Sequence, residues 1–305
     1  MTAVHALMTG LIDYAGLFPP AGVEMARAIE NYAAYQSRPD HWALGRFVVP
    51  VARLGLFATE LDALPPEVRV GSRWPITALL GTDPVADMAA VCLFNERHAG
   101  GPQVRSLEGK VATVSQVHAA RAPIPSSFDL YLELPLTGEL PRMVDAVKDA
   151  GALAKIRTGG VQPADIPSPD AVLTFLTLCA DAALPFKATA GLHHPVRAMQ
   201  PLTYQPGSTC ATMFGYLNVF LAASALWHER PESEALAVLV REDRDALRFT
   251  TDRLEWGDTR FTLGELAATR RDFAHTIGSC SFLEPVTELA QLGARLDAVP
   301  ARERV

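Results

Sequence analysis

The chain has 305 residues, 49% hydrophobic and 20% charged, with a formal net charge of −7. This profile fits a globular protein long enough for one large α/β barrel, and its mild acidity argues against nucleic acid or an anionic membrane as partner, since both select basic surfaces. No apolar run reaches the roughly 18 residues of a membrane span. The nearest, Met213 to Trp227, carries Asn218 and Ser224.

The N-terminus lacks the basic start and apolar core of a secretory signal. The four cysteines (Cys92, Cys179, Cys210, Cys280) are widely spaced without a CxxC pair. Free thiols in a reducing cytoplasm are therefore expected.

Short β-rich runs occur, in chain order, at Leu11–Tyr14, Arg46–Ala52, Ile76–Gly81, Val104–Glu108, Phe128–Leu134, Leu153–Thr158, Pro185–Ala190 and Thr276–Cys280. They alternate with helical stretches such as Met25–Ser37, Val111–Arg121, Leu140–Ala150 and Ala171–Ala182. Such alternation predicts parallel βαβ units, and eight of them predict a closed (β/α)8 TIM barrel, for which about 250 residues is typical.

The rhythm breaks between strands seven and eight. That stretch holds a Pro/Gly/Ser/Thr-rich loop at Gln200–Thr212, a long apolar helix, an acidic helix and a β-hairpin. The hairpin joins Arg248–Glu255 to Thr259–Leu263 through Trp256-Gly-Asp258. Residues 200–274 are read as an insertion decorating a single barrel domain over 1–305.

Active sites of such barrels lie at the C-terminal strand ends. Asp13, Glu108, Glu133, Lys155, Arg157, Lys187 and the Gly278-Ser-Cys-Ser281 turn fall there. Side chains alternate along a strand, so Lys155 and Arg157 share one face, as do Lys187 and Thr189. In strand five, either Asp129, Tyr131 and Glu133 or Leu130, Leu132 and Leu134 point into the barrel; the pattern leaves both open.

Two lysines in apolar, glycine-terminated runs are unusual. They are Lys155 in Leu153-Ala-Lys-Ile-Arg-Thr-Gly-Gly160 and Lys187 in Pro185-Phe-Lys-Ala-Thr-Ala-Gly-Leu-His-His194. On neighbouring strands about 5 Å apart, the ammonium groups would lie about 6–7 Å from each other and repel by about 2.5 kcal/mol at an effective dielectric near 20. That repulsion is expected to leave one lysine neutral and nucleophilic towards carbonyl carbon.

These pieces resemble the class I aldolases of the deoxyribose-phosphate aldolase type. Ile12-Asp-Tyr-Ala-Gly-Leu17 stands where that family has Ile-Asp-His-Thr-Leu-Leu. Lys155-Ile-Arg-Thr-Gly159 keeps the Lys-x-x-Thr-Gly of its sixth strand. Lys187-Ala-Thr-Ala-Gly191 matches its Lys-Ala-Ser-Gly-Gly, and Ile277-Gly-Ser-Cys-Ser281 its Ile-Gly-Thr-Ser-Ser. Glu108 is the nearest counterpart of the family's fourth-strand aspartate.

The resemblance implies that Lys155 forms an iminium with a small aldehyde or ketone, while Lys187 keeps its charge. Glu108 with Asp13 would shuttle protons. Arg157, Glu133, Thr189, Gly159, Gly160, Gly191, His193, His194, Gly278, Ser279 and Ser281 would surround the substrate and any anionic group on it.

There are departures from the family. Arg157 replaces a small serine, Leu192-His-His194 replaces an Ile-Arg pair beside the phosphate site, and the large insertion has no counterpart.

Two other readings remain. His193 and His194 with Glu108, Glu133 and Asp13 could ligate a metal in a lyase or isomerase, although adjacent histidines on an extended strand face opposite ways. Alternatively, the barrel mouth binds a small anion without catalysis. Cys280 is read as packing, and Asn218 as a residue able to reach the mouth. Neither GxGxxG nor GxxxxGK[ST] occurs, so no nucleotide cofactor is expected. The expected partner is a small carbonyl compound, with assembly into a homo-oligomer left open.

Overall fold

The computed structural model describes residues 1–65 and 73–294. Eight parallel strands close into a barrel. They are β1 (Ile12–Tyr14), β2 (Leu44–Pro50), β3 (Pro75–Leu79), β4 (Gln103–Lys110), β5 (Asp129–Glu133), β6 (Leu153–Arg157), β7 (Phe186–Thr189) and β13 (Ala274–Ser279). Their order around the barrel is β1-β13-β7-β6-β5-β4-β3-β2. This is the (β/α)8 arrangement read from the alternation.

Local chemistry starts the intervening helices. Asp83 caps Pro84–Arg97 (α4) by accepting from the backbone of Val85 and Ala86, with Pro84 in the first turn. Ser168 caps Pro169–Asp181 (α7) in the same way through Ala171 N. The other helices on this side of the chain are α1 (Ala3–Met8), α2 (Met25–Gln36), α3 (Leu54–Ala63), α5 (Val114–Arg121) and α6 (Leu140–Asp149).

Strand five takes one of its two possible faces. Tyr131 bonds His275 Nδ1 at 2.8 Å from β5 to β13, and Glu133 meets Lys155. The polar set therefore points inward, while Leu130, Leu132 and Leu134 join the apolar layer beneath the helices. On β2, Val48 lines the interior cavity and Phe47 stacks outward among Tyr32, Phe57 and Trp74.

Between β7 and β13 the chain departs from the expected loop. Ala198–Pro201 (β8) and Cys210–Met213 (β9) pair as an antiparallel hairpin across the two ends of the stretch read as a loop at Gln200–Thr212. Its ladder supplies backbone partners that the Pro/Gly/Ser-rich composition did not suggest. The expected hairpin is instead a three-stranded meander of β10 (Leu247–Phe249), β11 (Arg253–Trp256) and β12 (Thr259–Thr262). A turn at Thr250 and Asp252, closed by the Thr250 hydroxyl, splits what read as one strand.

Helix α8 (Tyr216–Trp227) is apolar all round because it is buried all round. It lies against α7 and α9 (Glu232–Leu239), with Phe220 against Phe186 of β7. Asn218 does not reach the barrel mouth. Its amide donates to the Val238 and Arg241 carbonyls and its oxygen accepts from Arg197 N.

Helix α10 (Leu263–Asp272) leads into β13. Its Arg270 donates to the Leu7, Thr9 and Ala274 carbonyls, tying α1 to the barrel. The last described helix is α11 (Leu283–Gln291). No helix among the described residues is long and apolar enough to cross a membrane.

Candidate active site

The strand registers bring six of the predicted residues into one alternating chain of charge. Lys155 pairs with Lys187 across β6 and β7, and Glu133 with Lys155 across β5 and β6. In-register residues on parallel strands carry their side chains to the same level of the barrel. Glu108, on β4, completes the row from across the interior.

Lys187 Nζ lies 2.5 Å from Asp13 Oδ2 and 2.5 Å from Glu108 Oε1. Lys155 Nζ lies 2.7 Å from Glu108 Oε2 and 3.1 Å from Glu133 Oε2. Arg157 Nε then reaches Glu133 Oε1 at 3.2 Å. The order is Asp13, Lys187, Glu108, Lys155, Glu133, Arg157.

This geometry corrects the repulsion argument. The two lysines are neighbours, but Glu108 stands between them and each ammonium touches two carboxylates. Burial pushes Lys187 towards neutrality, yet Asp13 and Glu108 outweigh it and raise its pKa above the ordinary lysine value. Burial likewise pushes Glu108 up, but the Lys155 and Lys187 ammoniums hold its carboxyl down at about 2. Glu133 is lowered for the same reason, by Lys155 and Arg157 against burial.

Asp13 has its own cradle. Its Oδ1 accepts from Arg46 N at 2.7 Å, and its Oδ2 from the Thr276 hydroxyl at 3.1 Å. Gly45 leaves room for it, since a methyl group there would overlap Asp13 Oδ1. Asp13 is wholly buried beneath Lys187 and does not touch the cavity above. Asp13 thus holds Lys187, and its link to Glu108 runs through that ammonium.

Above the charge chain opens a cavity of about 390 Å³, a size suited to a small molecule. Glu108 and Lys155 form part of its wall, with Arg157, Thr189, Gly160, Gly191, His193 and Gly278. The wall residues that the sequence reading missed include Phe18, Pro19 and Pro20 after β1, Lys110 at the end of β4, and Asp165.

The ends of β6 and β7 touch. Gly159 has no room for a side chain because Gly191 Cα lies against it, and Gly191 takes a left-handed φ of +77°. Ala190 is left-handed as well, a strained conformation fixed where the Thr158 hydroxyl donates to its carbonyl at 2.7 Å. Gly159 thus serves this close approach and is not part of the cavity wall.

Three further expected binding residues lie off the cavity wall. His194 turns to Glu288 on α11, with Nδ1 2.7 Å from its carboxylate. Ser279 donates its hydroxyl to Ser281 O, and the Ser281 hydroxyl accepts from Glu284 N at the start of α11. These groups build the turn after β13. Glu133 also lies off this wall, facing an adjoining cavity.

His193 does face the first cavity, 3.3 Å from Ser279 Oγ and 3.7 Å from Cys280 Sγ. Burial, with His194 nearby, lowers its pKa to about 4, so it is a neutral imidazole near pH 7. Cys280, read as packing, lines the cavity too, with its thiol pushed up by burial.

Among the described residues, no group of three or more His, Cys, Asp or Glu side chains is arranged to hold a metal ion. The barrel carboxylates face ammonium groups instead, and the two histidines diverge. Comparison with protein-family models and with curated proteins gave no match to this chain.

Proposed function

We propose that the protein is a Schiff-base-forming lyase of the class I aldolase type, acting on a small carbonyl compound and related remotely to the deoxyribose-phosphate aldolases. One observation carries the reading: of the two lysines in the buried charge row, Lys155 meets the cavity and Lys187 does not, and Lys155 is flanked there by two carboxylates. An amine that must exchange protons with a carbonyl oxygen needs acid–base groups within hydrogen-bond reach.

The atoms balance without proton exchange with solvent. Lys155 as ammonium, plus a carbonyl group, gives a protonated imine and water, so two nitrogen protons leave with the oxygen. Glu108 and Glu133 accept these protons from Nζ and return them to the departing oxygen. Each proton that leaves Nζ neutralises one carboxylate as it neutralises the nitrogen, so the net charge of the buried row is unchanged. The iminium then draws electrons from the adjacent C–C bond to give an enamine, while Glu108 takes the proton of the hydroxyl that becomes the new carbonyl. That proton returns to the enamine carbon, and water hydrolyses the resulting iminium to release the second carbonyl product and restore Lys155. Lys187 and Asp13 act as positioning residues that fix Glu108.

The test is borohydride trapping with a panel of short aldehydes and ketones, followed by intact-mass measurement and peptide mapping. The expected result is a stable adduct on Lys155 that is absent from Lys155→Met. No adduct at saturating carbonyl concentration overturns the reading.

A further inference from the structure

Two cations at the cavity rim lack a full complement of partners. Lys110 ends β4, is exposed, and has no ion-pair partner among the described residues. It lies in register with Glu133, but Glu133 turns instead to Lys155 and Arg157. Among the described residues Arg157 pairs only through Nε, on Glu133, which leaves the Nη edge of its guanidinium open, and its side chain is 49% exposed. An open guanidinium edge and an unpaired ammonium lining the same cavity match a planar carboxylate.

Both cations also border a second cavity of about 310 Å³, walled by Leu134 and Pro167 among others. Lys110, Arg157 and Asp165 are common to the two spaces. Asp165 is committed to its own turn, where its carboxylate accepts from Gln162 N at 2.9 Å. The cations Lys187, Lys155, Arg157 and Lys110 are matched in number by Asp13, Glu108, Glu133 and Asp165. No surplus of positive charge awaits a dianion.

We propose that the substrate is an oxo acid whose carboxylate bridges Arg157 and Lys110 on the β4–β6 side of the mouth. Its carbonyl reaches Lys155, and only this part rests on the Schiff-base reading. Lys110 is thereby a specificity residue, and a monoanionic carboxylate is favoured over a phosphate.

Two measurements test the seat separately from the chemistry. Ligand-observed NMR titration with butanoate, which has no carbonyl to trap, should show saturable binding, weakened about tenfold or more by Lys110→Gln and by Arg157→Gln. Borohydride trapping should label Lys155 at lower concentrations of 4-oxobutanoate than of 4-oxobutanamide, and this preference should fall to parity in Lys110→Gln. Circular dichroism melting verifies that both variants fold, and Lys110 is exposed enough to be replaced without disturbing the barrel.

Failure of butanoate to bind, binding indifferent to both substitutions, equal trapping of acid and amide, or tighter binding of inorganic phosphate than of butanoate overturns the carboxylate seat. Butanoate binding that responds to both substitutions, with no adduct from any oxo acid, supports the seat and sinks the Schiff-base reading instead.

Discussion

Lys187 Nζ lies 2.5 Å from Asp13 Oδ2, with the lysine side chain 1% exposed and the aspartate not exposed at all. An ion pair sealed in this way owes its integrity to both members, because neither can be hydrated if the other is removed. Lys155, one strand away, borders open space and shares its two acids with other cations. The lysines therefore differ in what their loss does.

Lys187→Met should strand Asp13 and half of Glu108 without a counter-ion, lowering unfolding free energy by about 3–5 kcal/mol. Lys155→Met leaves Glu108 with Lys187 and Glu133 with Arg157, and should cost only about 1–3 kcal/mol while abolishing carbonyl trapping. Urea denaturation of the two variants checks the order. Equal losses would contradict the distinction.

Gly45→Ala tests the cradle of Asp13 from the opposite side. The added methyl would overlap Asp13 Oδ1 and approach Gly10 O to 3.0 Å, so the carboxylate must shift away from Arg46 N. Overpacking of this kind costs about 1–3 kcal/mol. Thermal melting should show the loss, and a crystal structure should show a displaced Asp13.

Acid should weaken the barrel in a defined window. Glu108 has a folded value of about 2 against an ordinary 4.5. As pH falls below 4.5, the unfolded carboxylate takes up a proton that the folded one refuses. Stability is then lost progressively down to about pH 2, by about 3 kcal/mol from this group, with Glu133 adding in the same direction. Lys187 acts at the alkaline end: its raised value means its contribution persists through neutrality and disappears only as pH climbs past it. Denaturation midpoints measured across pH check both limbs. A Glu108→Gln variant should flatten the acid limb.

His193 should remain neutral until the solution is strongly acidic. Its value of about 4 predicts an imidazole proton resonance with a titration midpoint well below that of an exposed histidine. Assignment by comparison with His193→Asn identifies the signal. A midpoint near 6.5 would mean that the ring is hydrated.

Eight β-rich runs separated by helical stretches were legible because strand and helix periods are local, and a parallel sheet with interposed helices closes best as a barrel. The lysine-bearing ends of β6 and β7 were legible for a related reason. A charged residue inside an apolar run defies the local pattern, and that defiance can be seen without coordinates. Lys110 showed no such signal, since a lysine at a strand end looks like any solvated residue.

The sequence by itself determined which residues stand at the strand ends and that two amines occupy adjacent strands. The tertiary structure decided what neutralises them. Glu108 acts on both lysines from across the barrel, through contacts 47 and 79 residues away in the chain (155 − 108 and 187 − 108). It also decided that the polar face of strand five turns inward, through a pairing between Tyr131 and His275 that no local pattern encodes. Electrostatic sign at short range depends on which charge is nearest, and distance in space is fixed only once the barrel has closed.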